Sequence, residues 1–398
     1  MINNLLQSLV SRISVAIFGF LVLVISAKYL GVSSRGEISL FLFNIALLQI
    51  ITEVFTGYHL VHFMTKYSAY KIYSFGLLFI LFTTLIGNSI LLLAGKHIEG
   101  FFWQAYLITL LVTLNTFQCV MILGLGKLKL YYGLSLLQPA LLLGFLLGYV
   151  FFTTDLTLNA YVYPLLFSFL LTSGITFSKL WPALRLNSEH KIFASVPILK
   201  NGLAAQLALM MFVLGNKYSF YLLEPGAELG LYAAAISITE AVLIIVSAMM
   251  PLYLSKLATE QNNNNSSALT IKLVASALVL CSLALIVLNA IPETVYLKLL
   301  GEGFKGIKTV MLYYSPAVFL TVIYLILSNY FSGKGQARLV MKSNLPGFLL
   351  TLVLCPWFVK THQLKGAALI STLVYGLNVA FLTFYFLKHS DRLPFQKN

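Results

Sequence analysis

The sequence predicts an all-α integral membrane protein, with twelve transmembrane helices in two pseudo-symmetric six-helix halves around a central cavity. Three observations carry that expectation. The first is composition: 59% of the 398 residues are hydrophobic and only 10% are charged, against roughly 25% charged in an ordinary soluble domain. A soluble protein so poor in charge could not cover its own surface. The second is a series of apolar runs, each close to the length of about 20 residues that a bilayer core requires. The third is an internal echo between the two halves of the chain.

Taken in order, the apolar runs place helices near 6–28, 37–63, 73–95, 101–124, 134–152, 158–178, 199–222, 229–254, 268–290, 309–331, 343–359 and 366–387. The opening "MINNLLQSLV" has no basic stretch ahead of its apolar run and no cleavage site after it, so it reads as the first membrane helix. Between the sixth and seventh helices lies "KLWPALRLNSEHKIFASVPILK", the longest connection of mixed polarity. It divides the chain into an N-terminal half (1–178), a cytoplasmic linker (179–198) and a C-terminal half with a cytoplasmic tail (199–398). The run "QNNNNSS" reads as a plain loop between the eighth and ninth helices.

The halves echo each other twice. A helix, a Gly-containing charged break and a second helix occur at "SAKYLGVSSRGEISLF", and again at "YLLEPGAELGLYAAAI". "GLGKLK" leaves the fourth helix as "GKGQAR" leaves the tenth. Two parallel repeats place the working cavity between the halves.

Charge fixes the expected topology. One set of connections, with the C-terminal tail, carries 16 basic residues against three acidic ones; the other carries eight against seven. Lys- and Arg-rich segments remain cytoplasmic, so both termini are expected there. The net charge of +14 is thus a topology signal, and no basic-aromatic pattern points to nucleic acid.

Four charges fall inside the expected spans: Arg12, Glu53, Lys217 and Glu240. Helical spacing gives each of them polar company. Ser8 and Ser11 share a face with Arg12, and Gln49, Thr52 and Thr56 form a stripe with Glu53. Gln206 lies close to three turns from Lys217, and Ser247 is nearly aligned with Glu240. Such stripes are costly against lipid and belong in a bundle interior or a watered cavity. Cys119, Cys281 and Cys355 lie in apolar runs without metal-ligand or disulfide spacing, and His59 and His62 have no third ligand. No metal, cofactor or set of catalytic residues is expected.

Several segments resemble those of Wzx-type polysaccharide flippases of the multidrug/oligosaccharidyl-lipid/polysaccharide exporter superfamily. These are "AKYLGVSSRGEISLF", "AELGLYAAAISI", "LKLLGEGFKGIKTVMLYYSPAVFL", "YFSGKGQARLVMKSN" and "LKGAALISTLVYGL", in that order. One departure is Lys28, where Arg is usual; the charge is kept and the bidentate geometry lost. The resemblance implies a non-enzymatic flippase for undecaprenyl-diphosphate-linked oligosaccharide repeat units, in the bacterial cytoplasmic (inner) membrane. It would move them to the periplasmic leaflet for O-antigen or capsule assembly, supplying a polysaccharide polymerase.

On that reading Arg12, Lys217, Gln206 and Ser8 contact substrate. Glu53 and Glu240 are then placed to carry a coupling sodium ion or proton. A drug/cation antiporter of the same superfamily is an alternative, although it would favour acidic over basic cavity residues. A membrane-embedded enzyme of polysaccharide assembly is a second alternative, disfavoured by the absence of a large catalytic loop.

Overall fold

The computed structural model describes residues 2–64, 67–153, 156–185, 194–259, 263–334 and 336–389, with backbone alone for 2–9, 389 and several positions between 251 and 265. Helix dominates, and no strand occurs among the described residues. Among the described residues ten stretches are long and apolar enough to cross a membrane, as a multi-pass membrane protein requires. The first of these runs for 53 residues and the last for 52, about twice one crossing.

The long helix of each double-length stretch is interrupted by one residue that is not helical. In α1 (Ile2–Thr56) it is Gly31, at φ 81° and ψ 174°, a conformation that is essentially glycine's alone. In α12 (Ala337–His389) it is Gln363, at φ 48° and ψ −127°. Both breaks turn the chain back on itself. Arg35 reaches Ser26 at 3.4 Å, although nine residues of straight helix would separate their backbones by about 13 Å. Across the other break, Gly366 lies so close to the Phe358 carbonyl that a β-carbon would have no room. Counted as two arms apiece, α1 and α12 bring the ten stretches to the expected twelve.

The chain forms two compact units, Met1–Gln206 and Leu207–Asn398. In the first unit, α1 packs with α2 (Ala69–Leu93), α3 (Phe102–Gly124) and α4 (Leu128–Phe152), while α5 (Asn159–Arg185) lies along α3 and α4. Two apolar clusters hold it. Phe55, Ile72, Phe117 and Met121 centre one, and Val22, Ile38, Phe41, Ile108 and Leu146 centre the other. The helix α5 runs past the expected 178 to Arg185, whose guanidinium sits 4.8 Å over the Trp181 ring. The sequence-defined linker is outside the described residues over 186–193.

Helix α6 (Val196–Lys217) crosses the division between the units. In the second unit α11 (Ile307–Gly333) is the hub, packed against α12, α7 (Ala227–Glu240), α8 (Ile244–Thr259) and α9 (Asn263–Ala290). The expected 229–254 helix is α7 and α8 in series, joined by a tighter turn at Ala241–Leu243. Buried Gly230, Ala233, Ala234 and Ala235 give α7 a smooth face, which lets neighbouring backbones approach closely. A short helix, α10 (Glu293–Leu300), precedes α11.

Candidate functional site

In the second unit the two intramembrane charges meet. Lys217 Nζ donates to Glu240 Oε2 at 2.9 Å, and both side chains remain partly open, at 31% and 24% exposure. The other carboxylate oxygen is also occupied: the buried Tyr314 hydroxyl donates to Oε1 at 2.8 Å. Tyr375, also buried, stands beside Tyr314 and reaches the buried Thr321.

The location of Lys217 follows from the way α6 ends. Its last carbonyls have no intrahelical partner, and α12 supplies donors for them. Thr351 Oγ1 donates to Gly215 O at 2.6 Å, and Ser371 Oγ donates to Asn216 O at 3.0 Å. A turn earlier the Phe212 ring stacks on Tyr324 at 4.1 Å. Nearer the start of the unit, Asn344 Nδ2 donates to Ala208 O at 2.8 Å. Lys217 thus sits at the end of a helix whose C-terminal half is fixed by buried polar bonds. Sequence spacing placed Lys217 with Gln206 and Glu240 with Ser247, and gave no sign that the two charges pair. Tyr314, Thr351 and Ser371 were missed, since hydroxyls in apolar runs carry no pattern of their own.

The first unit gathers a second polar group. Gln49 Nε2 donates to Glu53 Oε1 at 3.0 Å and to Thr116 Oγ1 of α3 at 3.2 Å. The expected stripe therefore splits. Thr52 and Thr56 are buried and return their hydroxyls to carbonyls of their own helix, leaving Gln49 and Glu53 as the pair facing α3. Glu53 takes no cation among the described residues.

Gln206 comes close to the end of α1. Its amide nitrogen stands 3.2 Å from where a β-carbon on Gly57 would lie, one turn beyond Glu53. Gly202, one turn earlier in α6, is pressed against the Val54 carbonyl and the His59 ring, with no room for a β-carbon. Two glycines thus allow α6 to lie directly on the end of α1.

Arg12 is exposed and makes an interaction of its own, while its neighbour Ser11 turns inward, donating to the Tyr132 carbonyl of α4 at 3.3 Å. The Ser8 side chain lies outside the described residues. No group of three or more His, Cys, Asp or Glu suited to a metal occurs among the described residues. The three cysteines are buried and free.

No family model matches the chain, and no curated protein matches it. Solved structures do. An outward-facing multidrug resistance MATE family transporter of the MOP superfamily superposes with a TM-score of 0.71 at 14% identity, covering 97% of this chain and 95% of that one. A mutant of the Vibrio cholerae MATE transporter VcmN gives 0.68 at 12% identity, covering 97% and 95%. The lipid II flippase MurJ, in an inward closed conformation, gives 0.62 at 14% identity, covering 98% and 90%. The chain therefore has the fold of these MATE transporters and of MurJ along almost its whole length.

Proposed function

We propose that a chain with this fold works here as a flippase, carrying undecaprenyl-diphosphate-linked oligosaccharide repeat units from the cytoplasmic to the periplasmic leaflet of the bacterial inner membrane. The observation that carries the reading is the half-open Lys217–Glu240 pair inside a span. A diphosphate cannot cross hydrocarbon without a compensating cation, and a lysine held by one displaceable carboxylate can provide it. A fully buried pair could not exchange partners without great cost. The likeness in fold to MurJ, a lipid II flippase by name, supports a lipid-linked substrate.

On this reading Arg12 receives the diphosphate near the cytoplasmic side, and Lys217 takes it further along the route. Ser8 and Gln206 offer hydrogen bonds to sugar or phosphate oxygens. When the diphosphate takes Lys217, Glu240 is freed to accept a sodium ion or a proton, and Glu53 is a second carboxylate for that role. The halves 1–178 and 199–398 would move about the cytoplasmic linker 179–198, with both termini cytoplasmic. The product would pass to a polysaccharide polymerase, and the chain itself performs no covalent chemistry.

One observation favours a second reading. Glu53, without a cation among the described residues, suits a cationic drug exchanged for an ion, as in an antiporter. Deleting the gene separates the two. The flippase reading expects loss of surface polysaccharide with lipid-linked precursor retained on the cytoplasmic leaflet. The antiporter reading expects normal glycan and heightened sensitivity to cationic dyes.

A further inference from the structure

Arg35 was expected in the connection between the first two helices. It lies instead in the second arm of α1, and among the described residues it is the charged side chain buried outright, at 7% exposure. Leu30, Ile38 and Phe41 around it belong to an apolar cluster with Leu158 and Tyr161.

Among the described residues little answers its charge. Nη1 donates to Ser26 Oγ at 3.4 Å, longer than the usual limit of about 3.2 Å for such a bond. Ser26 spends its own proton on the Leu23 carbonyl at 3.0 Å. Arg35 Nε is buried with no partner. Among the described residues the ionisable group close enough to act on it is Tyr161, and a phenol is neutral at ordinary pH. Stripping water from a guanidinium is costly unless an anion or a full set of acceptors replaces it. Here neither does. A side chain with open donors at the turn between two membrane helices is what an anion site looks like before its ligand arrives.

We propose that Arg35 is an anion-binding residue, taking the phosphate or diphosphate group of a membrane lipid at the Gly31 end of the first unit. The guanidinium fork matches two oxygens of such a group, and Ser33 and Ser34 lie just before it in the chain with hydroxyls to add. Access comes through Gly31, the one non-helical residue of α1, about which the two arms can part. The site is independent of Lys217 and Glu240, and does not rest on the flippase reading.

The test uses the full chain in detergent micelles, with inorganic pyrophosphate as the soluble probe at high salt to suppress non-specific binding to a basic protein. Pyrophosphate should raise the wild-type unfolding midpoint in a saturable way. Arg35→Met should weaken that binding at least about tenfold, as the loss of charge-assisted hydrogen bonds implies. Arg35→Lys should be intermediate. Without ligand, Arg35→Met should unfold no earlier than wild type, since it removes an unanswered buried charge.

Nanodiscs of phosphatidylglycerol, compared with phosphatidylcholine, identify the source. A response to the anionic membrane but not to pyrophosphate assigns a phospholipid headgroup, and a response to pyrophosphate assigns a lipid-linked diphosphate. No saturable response of the wild type to either probe overturns the proposal. So does binding that Arg35→Met retains in full. If Arg35→Met fails to fold, Arg35→Lys decides, and an unchanged affinity there refutes the site.

Discussion

If Lys217 and Glu240 form a working pair rather than a surface accident, removing both should cost less than the sum of the two single losses. The perturbation is a double-mutant cycle of Lys217→Met and Glu240→Gln. Exposed ion pairs contribute about 0.2–1 kcal/mol, and breaking a fully buried one costs about 3–5 kcal/mol. At 2.9 Å, with exposures of 31% and 24%, this pair lies between those limits, so a coupling of about 2 kcal/mol is expected. Glu240→Gln also weakens the bond from Tyr314, and a hydrogen bond to a charged group is worth about 1.5–3 kcal/mol. That single change should therefore be the more damaging.

A charge swap sharpens the cycle. Lys217→Glu with Glu240→Lys restores opposite charges but leaves the Tyr314 hydroxyl facing an ammonium, so rescue should be partial. The assay is reversible chemical unfolding in micelles, with expression level as control. A coupling below about 0.5 kcal/mol, the range seen for independent sites, would refute the account of this pair.

Three further outcomes are expected. Gly202→Ala should cut the yield of folded protein sharply in a fluorescence-monitored size-exclusion assay, because a β-carbon there collides with the Val54 carbonyl and His59; wild-type behaviour would show that α6 can shift away. Arg12→Ala should abolish surface polysaccharide at normal protein levels and Arg12→Lys should be milder, whereas normal export by Arg12→Gln would make Arg12 a headgroup anchor. Reporter fusions within Lys179–Lys200 and at the C-terminus should read cytoplasm, and those near Asp155 and Glu224 periplasm; reversed signals would invert the topology.

The helices were legible because membrane spans write their length directly into the sequence. Even the two hairpins were foreseeable, since Gly31 and the polar "KTHQLK" interrupt apolar runs, although the shortness of their turns, one non-helical residue each, was not. Boundaries shifted where amphipathic chain extends a helix beyond hydrocarbon, as α5 does to Arg185. The site was legible only by residue type. Four intramembrane charges stood out, but spacing along one helix says which residues share a face, never which face of another helix they meet. Hence the approach of Gln206 to Gly57 was not legible, nor was the bond of Lys217 to Glu240 across 23 residues of sequence. Arg35 was hidden for another reason. An arginine in a Ser-Gly context reads as a solvated turn, and only the fold-back at Gly31 buries it.

The central claim is movement of a lipid-linked diphosphate across the bilayer, and reconstitution measures it most directly. Proteoliposomes would carry a short-chain polyprenyl-diphosphate oligosaccharide, with its exposure on the outer leaflet followed by a membrane-impermeant sugar-modifying enzyme. The account predicts that the inner-leaflet pool becomes accessible when the wild-type protein is present, and stays protected with the Lys217→Met, Arg12→Ala double variant. Protection in wild-type vesicles equal to that in protein-free ones, together with ion-driven efflux of a cationic dye by the same preparation, would contradict it.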